Sequence, residues 1–230
     1  MVVDNLWAEI EAEQSWRTDE IRFFQNQISN IPTEEKQAQF RRAIILILYA
    51  HFEGFSKFAF NLYVNTINTE NVKCKDANFS LVAATLSDLF TELRNPDKKS
   101  EIFRRTLPDD SKLHRFSRDK DFVENSSLFE ERIVNIPELF IDMESNLKPL
   151  VLRKNLFRLG FDHEAFNSFE GNISRLLNLR NGIAHGELRD GITEREYDEI
   201  RGMVFSIMNG IKSKIMDALV NRNFLRSAST

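Results

Sequence analysis

The sequence predicts an all-α fold, from scarce turn formers, apolar residues recurring at helical spacing, and helix start and stop signals flanking the apolar runs. Only 8 Gly and 5 Pro stand against 20 Phe in 230 residues, so few turns are available and long elements must carry most of the chain. At 42% hydrophobic and 29% charged residues, the composition is that of a globular protein with a sizeable core. No internal repeat or low-complexity tract interrupts it. The expectation is one domain over 1–230, a bundle of about five or six helices with a charged, loop-rich insertion at 97–125.

The first helix, over 4–30, is read from Leu6, Trp7, Ile10, Ile21, Phe24 and Ile28, with Asp4 available as its N-cap. Pro32 stops it. Thr33 followed by Glu34 and Glu35 starts a second helix, with acidic residues at its positive end, running to about 68. From Ile44 to Val64 that helix is apolar around most of its circumference, the mark of burial on several sides. Ser80 is placed to cap a third helix through Leu93, ended by Asn95-Pro96.

The stretch 97–125 is charge-rich without clear periodicity and reads as a short helix at 101–107 followed by a loop. Ile133-Val134-Asn135-Ile136 suggests a short strand. Pro149 suits the first turn of a helix ending near Leu159-Gly160, and Asp162 can cap the next helix. A further helix runs through Leu176, Leu177, Leu179, Ile183 and Ala184, with Gly186 at its C-terminus. Thr193 and Glu196, in capping-box spacing, announce a last helix through Ile200, Val204, Ile207, Ile211 and Leu219.

Cys74 is the single cysteine, which excludes an internal disulfide framework and fits a reducing, cytoplasmic setting. The N-terminus has neither the basic nor the apolar region of a signal peptide. The apolar stretch 43–64 is broken by His51, Glu53 and Lys57, so a buried helix is expected rather than a membrane span. A net charge of −4 argues against broad coating of nucleic acid but leaves room for a local basic site. No Gly-rich phosphate loop, metalloprotease helix or cysteine ligand pair is present, and no cofactor or metal is expected. Asp119 and Asp121 begin something like a calcium loop, but Val123 and Glu124 stand where an oxygen ligand and a Gly are needed.

What remains is Arg180-Asn181-Gly182-Ile183-Ala184-His185-Gly186, on a helix that ends as the His is reached. Asn181 and His185 are four apart and share a face, so the amide is placed to orient the imidazole. Arg180 is turned about 140° from His185 on an ideal helix, so the helix end must distort or a second copy must complete a site using both. His serves as acid or base near neutral pH, and the Arg fork matches phosphate oxygens; metal-free RNA cleavage needs both. The spacing alone is loose, since Arg158 and His163 match it too, and a His in a last turn also stabilises a helix without any function. Glu53, among Phe52, Phe55 and Phe58, needs a partner if buried. Arg180 and Lys57, one turn on, are the two candidates.

Two stretches, Tyr49-Ala50-His51-Phe52-Glu53-Gly54-Phe55-Ser56-Lys57 and Leu179-Arg180-Asn181-Gly182-Ile183-Ala184-His185-Gly186, resemble the HEPN superfamily (higher eukaryotes and prokaryotes nucleotide-binding). Its motif is an Arg, a polar residue, then a His after a four- to six-residue gap, matched here by Arg180, Asn181 and His185. The resemblance implies a helical bundle that forms a homodimer through its motif helices and, in active members, a metal-independent endoribonuclease of toxin or anti-phage defence type. It assigns catalysis to Arg180 and His185, with Asn181 and Glu53 in support, RNA as substrate, and an antitoxin or defence-system protein as partner. Some members carry a modified Tyr two residues after the His, where this chain has Glu187. Others bind nucleotides or RNA without catalysis, or act as adaptors.

Overall fold

The computed structural model describes residues 3–103 and 110–226. Among them are eight α-helices and no strand: α1 (Val3–Ile28), α2 (Glu34–Thr69), α3 (Phe79–Thr85), α4 (Ser87–Arg94), α5 (Ser111–Phe129), α6 (Pro149–Arg158), α7 (Glu170–Ala184) and α8 (Glu194–Val220). The chain divides into two compact units. Unit 1 is Met1–Thr66 with Ile141–Asn223, and unit 2 is Ile67–Phe140 with Phe224–Thr230.

Unit 1 carries the long helices. Asp4 lies in the first turn of α1 rather than at its cap. The helix buries Ile10, Gln14 and Ile21 and packs on α8, where Gln14 Nε2 donates to Asn209 Oδ1 at 2.6 Å. The Ile44–Val64 stretch of α2 is apolar for the reason expected: Ile44, Ile45, Leu48, Phe52, Phe55, Ala59 and Phe60 are all fully buried. Each large side chain among them contributes roughly 1.5–3 kcal/mol by leaving water. In length and composition α2 also suffices to cross a membrane, but 56% of its apolar window is already buried inside the protein. Pro149 opens α6 at N1, and Gly160, at φ +80°, closes it. Asp162 accepts the Glu164 N–H at 2.9 Å, and the resulting turn leads through a 3₁₀ turn (Asn167–Phe169) into α7. Thr193 caps α8 through the Glu196 N–H, as the spacing predicts. The reciprocal half of the capping box is not made, because Glu196 accepts from Arg175 at 2.8 Å instead.

Unit 2 departs furthest from the sequence reading. Asn78, not Ser80, caps α3, accepting the Leu81 N–H at 3.0 Å; Ser80 already lies inside the helix. The expected third helix is two, broken at Leu86. The insertion expected to be loop-rich at 97–125 is helical from Ser111, where Asp110 caps α5 by accepting the Leu113 N–H at 2.9 Å. Its apolar residues, exposed Phe116, Val123 and Leu128 among them, are scattered around the helix and only His114 is buried, so no apolar stripe betrayed it. Of the expected helix at 101–107, residues 104–107 lie outside the described residues.

The expected strand at 133–136 is extended but unladdered. Ile133 makes one isolated bridge with Lys73, and Val134 N donates to Val72 O at 2.8 Å. The Asn68 side chain then takes over, accepting Ile136 N at 2.8 Å and donating to Ile136 O at 3.0 Å. An asparagine has replaced the neighbouring strand as the source of backbone hydrogen bonds.

Candidate active site

The motif sits at the end of α7, whose inner face buries Ile173, Leu176 and Leu177. The helix stops because Gly186 takes φ +73°, a left-handed conformation natural to glycine. Glu187 N then donates to Gly182 O at 2.8 Å and Gly186 N to Ile183 O at 3.1 Å, the paired bonds of a Schellman turn. His185 is therefore the C-cap, exposed, with no side-chain bond or ion pair among the described residues. The chain beyond is stitched to α2. Ile192 N donates to Ala38 O at 2.9 Å, buried Arg41 donates from Nε to Ile192 O at 2.8 Å, and Arg42 donates to Arg189 O. The position of His185 is thus fixed from both sides by bonds to the backbone.

Arg180 is half-buried about 1.4 turns earlier. Its Nη1 donates to Asn181 Oδ1 at 2.7 Å, and its Cζ lies 4.9 Å from the centroid of the Tyr49 ring. Asn181, expected to orient His185, is engaged instead by the adjacent Arg180; it reaches His185 only through its backbone carbonyl, which accepts the His185 N–H at 2.9 Å. Glu53 forms neither of the two pairs expected of it. Its Oε2 accepts from the Tyr49 hydroxyl at 2.5 Å and from Leu147 N at 3.2 Å, while Leu147 N also donates to Tyr49 Oη at 2.8 Å. Burial and the Glu53 carboxylate beside it push the Tyr49 phenol above its ordinary range. The ring therefore stays neutral beneath the guanidinium.

Tyr49 is the participant that sequence reasoning passed over. Its signal was present as an i, i+4 Tyr–Glu spacing on α2, but nothing in the sequence showed that α7 would lay an arginine across that ring. Among the described residues, no group of three or more His, Cys, Asp or Glu is placed to hold a metal ion.

Unit 1 contains two other Arg–His combinations. His163 Nε2 lies 3.9 Å from the neighbouring Glu164, with its ring edge-on to Phe157, beyond the break that Gly160 makes after Arg158. His51, only 5% exposed, faces α1, where Arg17 Nη1 contacts its Nδ1 at 3.3 Å and Glu20 its Nε2 at 2.7 Å. A guanidinium only donates, so Nδ1 is the acceptor and Nε2 carries the proton toward Glu20.

A family model described as HEPN_MAE_28990-like HEPN matches residues 6–224. No curated protein and no solved structure matches the chain. The matched span takes in most of α1 and all of α2 to α8, and the family is all-α, as this chain is. With its Arg180–His185 motif at the end of a helix inside that span, the chain belongs to the HEPN family.

Proposed function

We propose that the protein is a metal-independent endoribonuclease, acting as a homodimer in which the two α7 ends form one cleft. The observation that carries this reading is the unpartnered, exposed His185, held at a backbone-fixed helix end that also bears Arg180. Membership of a family rich in ribonucleases supports it.

Cleavage begins when a base removes the proton of the 2′-hydroxyl and O2′ attacks phosphorus. The bond to O5′ breaks as an acid protonates it, leaving a 2′,3′-cyclic phosphate and a free 5′-hydroxyl. One imidazole cannot readily serve as both base and acid in a concerted step, whereas a symmetric pair supplies one of each. Arg180 stabilises the charge on the pentacoordinate phosphorus with its planar donor fork. The setting that fits is toxin action or phage defence, where cutting RNA halts growth, with an antitoxin or defence protein as partner.

The test is incubation of labelled RNA with the wild type, Arg180→Ala and His185→Ala in excess EDTA, with the product ends then identified. Cyclic-phosphate fragments from the wild type alone are the expected result. Full cleavage by either variant would overturn the mechanism. RNA binding without product would make the protein a non-catalytic binding module.

A further inference from the structure

We infer that Tyr49 is the positioning residue through which Glu53 acts on Arg180, an inference that rests on the nuclease reading for its catalytic consequence. The guanidinium lies over the Tyr49 ring, and no ion pair joins it to Glu53 among the described residues. The phenol is held in place at its far end. It donates to Glu53 Oε2 at 2.5 Å and accepts from Leu147 N at 2.8 Å, in a setting where Tyr49 is 3% exposed and Leu147 fully buried. Such a ring has almost no freedom to turn, so the face it offers Arg180 is constant.

Its electronic character is set at the same end. A hydroxyl that donates to a carboxylate pushes electron density into its ring, and the negative face of the ring is what attracts a cation. Glu53 thereby strengthens the grip on Arg180 without touching it. On the other side, Asn181 Oδ1 takes Nη1 at 2.7 Å. The guanidinium is held by a ring face and one amide oxygen. Neither is a competing carboxylate, so its remaining donors stay available to phosphate oxygens.

The structure also supplies clean variants. In Tyr49→Phe the ring remains and Leu147 N keeps Glu53 as an acceptor, at 3.2 Å. In Glu53→Gln an amide oxygen still accepts from both donors while the charge is gone. Tyr49→Leu removes the face altogether.

The experiment combines single-turnover RNA cleavage at saturating substrate with the proton chemical shifts of the Arg180 side chain, assigned by comparison with Arg180→Lys. Thermal melting confirms that each variant is folded. In the wild type, the Arg180 δ-methylene protons are expected upfield through the ring current of Tyr49; Tyr49→Phe keeps that shift and Tyr49→Leu loses it. Tyr49→Leu is expected to cleave about tenfold more slowly, consistent with the loss of a partly buried cation–π contact. Tyr49→Phe and Glu53→Gln each slow cleavage by about threefold, and the double variant is no slower than Tyr49→Phe alone, because Glu53 acts only through the hydroxyl.

An Arg180 signal unshifted between the wild type and Tyr49→Leu would overturn the inference. So would a Glu53→Gln effect that persists in full on the Tyr49→Phe background, because Glu53 would then act directly. If the wild type cuts no RNA, the nuclease reading fails and the chemical shifts alone decide whether Tyr49 holds Arg180. Should Tyr49→Leu fail to fold, the comparison of Glu53→Gln with and without the Tyr49 hydroxyl decides instead.

Discussion

Two arginine–histidine pairs in unit 1 use the same side chains to opposite ends. At the α1–α2 contact, Arg17 and His51 are bonded to each other and closed off, although the buried Arg17 Nε finds no acceptor. Glu13 takes Arg17 Nη2 at 2.5 Å, Glu20 takes His51, and the guanidinium stacks on Trp16 with its Cζ 4.3 Å from the ring centroid. At the end of α7, Arg180 is steadied by a ring face and an amide, and His185 stands in solvent with nothing bonded to its side chain among the described residues. Residue type does not tell them apart. What separates them is whether the donors and acceptors have already been spent on each other, and only the folded chain answers that.

The largest effect that tests this contrast is on turnover. Alanine at Arg180 or His185 is expected to lower cleavage by about 10²–10⁴-fold, with the melting temperature hardly moved in His185→Ala and modestly lowered in Arg180→Ala, which loses the contact with the Tyr49 ring. Alanine at His51 or methionine at Arg17 should do the reverse. Cleavage per folded molecule is retained, while stability falls by about 1–3 kcal/mol in urea titration, because a buried partner is left unsatisfied. Loss of turnover in folded His51→Ala would erase the distinction between the pairs.

A smaller effect comes from protons. Burial holds the His51 pKa below its ordinary value of 6.5, against the opposing pull of Glu20 and Glu13 and with the help of Arg17. Above 6.5 both folded and unfolded chains carry a neutral imidazole at this position. As the pH falls below that value the unfolded chain takes up its proton first, so folding stability declines toward lower pH until the folded group is protonated too. Melting curves between pH 7.5 and 5.5 should show the decline, and His51→Gln should flatten it. An unchanged slope in that variant would mean that the imidazole is not the group responsible.

The smallest effect concerns Gly54, one turn beyond the Tyr49–His51 segment. A methyl group there would stand 3.0 Å from Arg17 Nη1, and that guanidinium is tethered to both His51 and Glu13. Alanine ordinarily gains about 0.5–1 kcal/mol over glycine inside a helix. Here Gly54→Ala should lose stability in the wild type and gain it once Arg17 has been shortened to methionine. A gain in both backgrounds would show that Arg17 yields without cost.

Legibility followed the same division. The buried α2 could be read from its girth of apolar residues, α6 from Pro149, and α8 from Thr193, because each signal acts within a few residues of itself. The end of α7 was legible for that reason as well, Gly186 being enough to stop the helix at His185. The α5 helix was not, since its apolar residues are scattered around the helix and leave no periodic stripe. Nor was the extended segment around Val134, whose hydrogen bonds come in part from a distant asparagine side chain. At the candidate site, the places of Arg180 and His185 near the end of a helix were legible and the partners of the side chains around them were not. The roles expected of Asn181 and Glu53 were reasoned from spacing and charge, whereas the structure pairs Asn181 with Arg180 and turns Glu53 toward a tyrosine on its own helix.

The glycine that ends α7 has nothing within 4 Å of where a side-chain carbon would sit. The constraint at position 186 is therefore one of handedness and not of room. A D-alanine introduced there by chemical ligation would fit the left-handed turn while restricting the unfolded chain, so a mirror-image residue should raise stability at the point where L-valine would lower it. The direction in which His185 leaves its helix is thus set by a left-handed turn that its achiral C-terminal neighbour takes without strain.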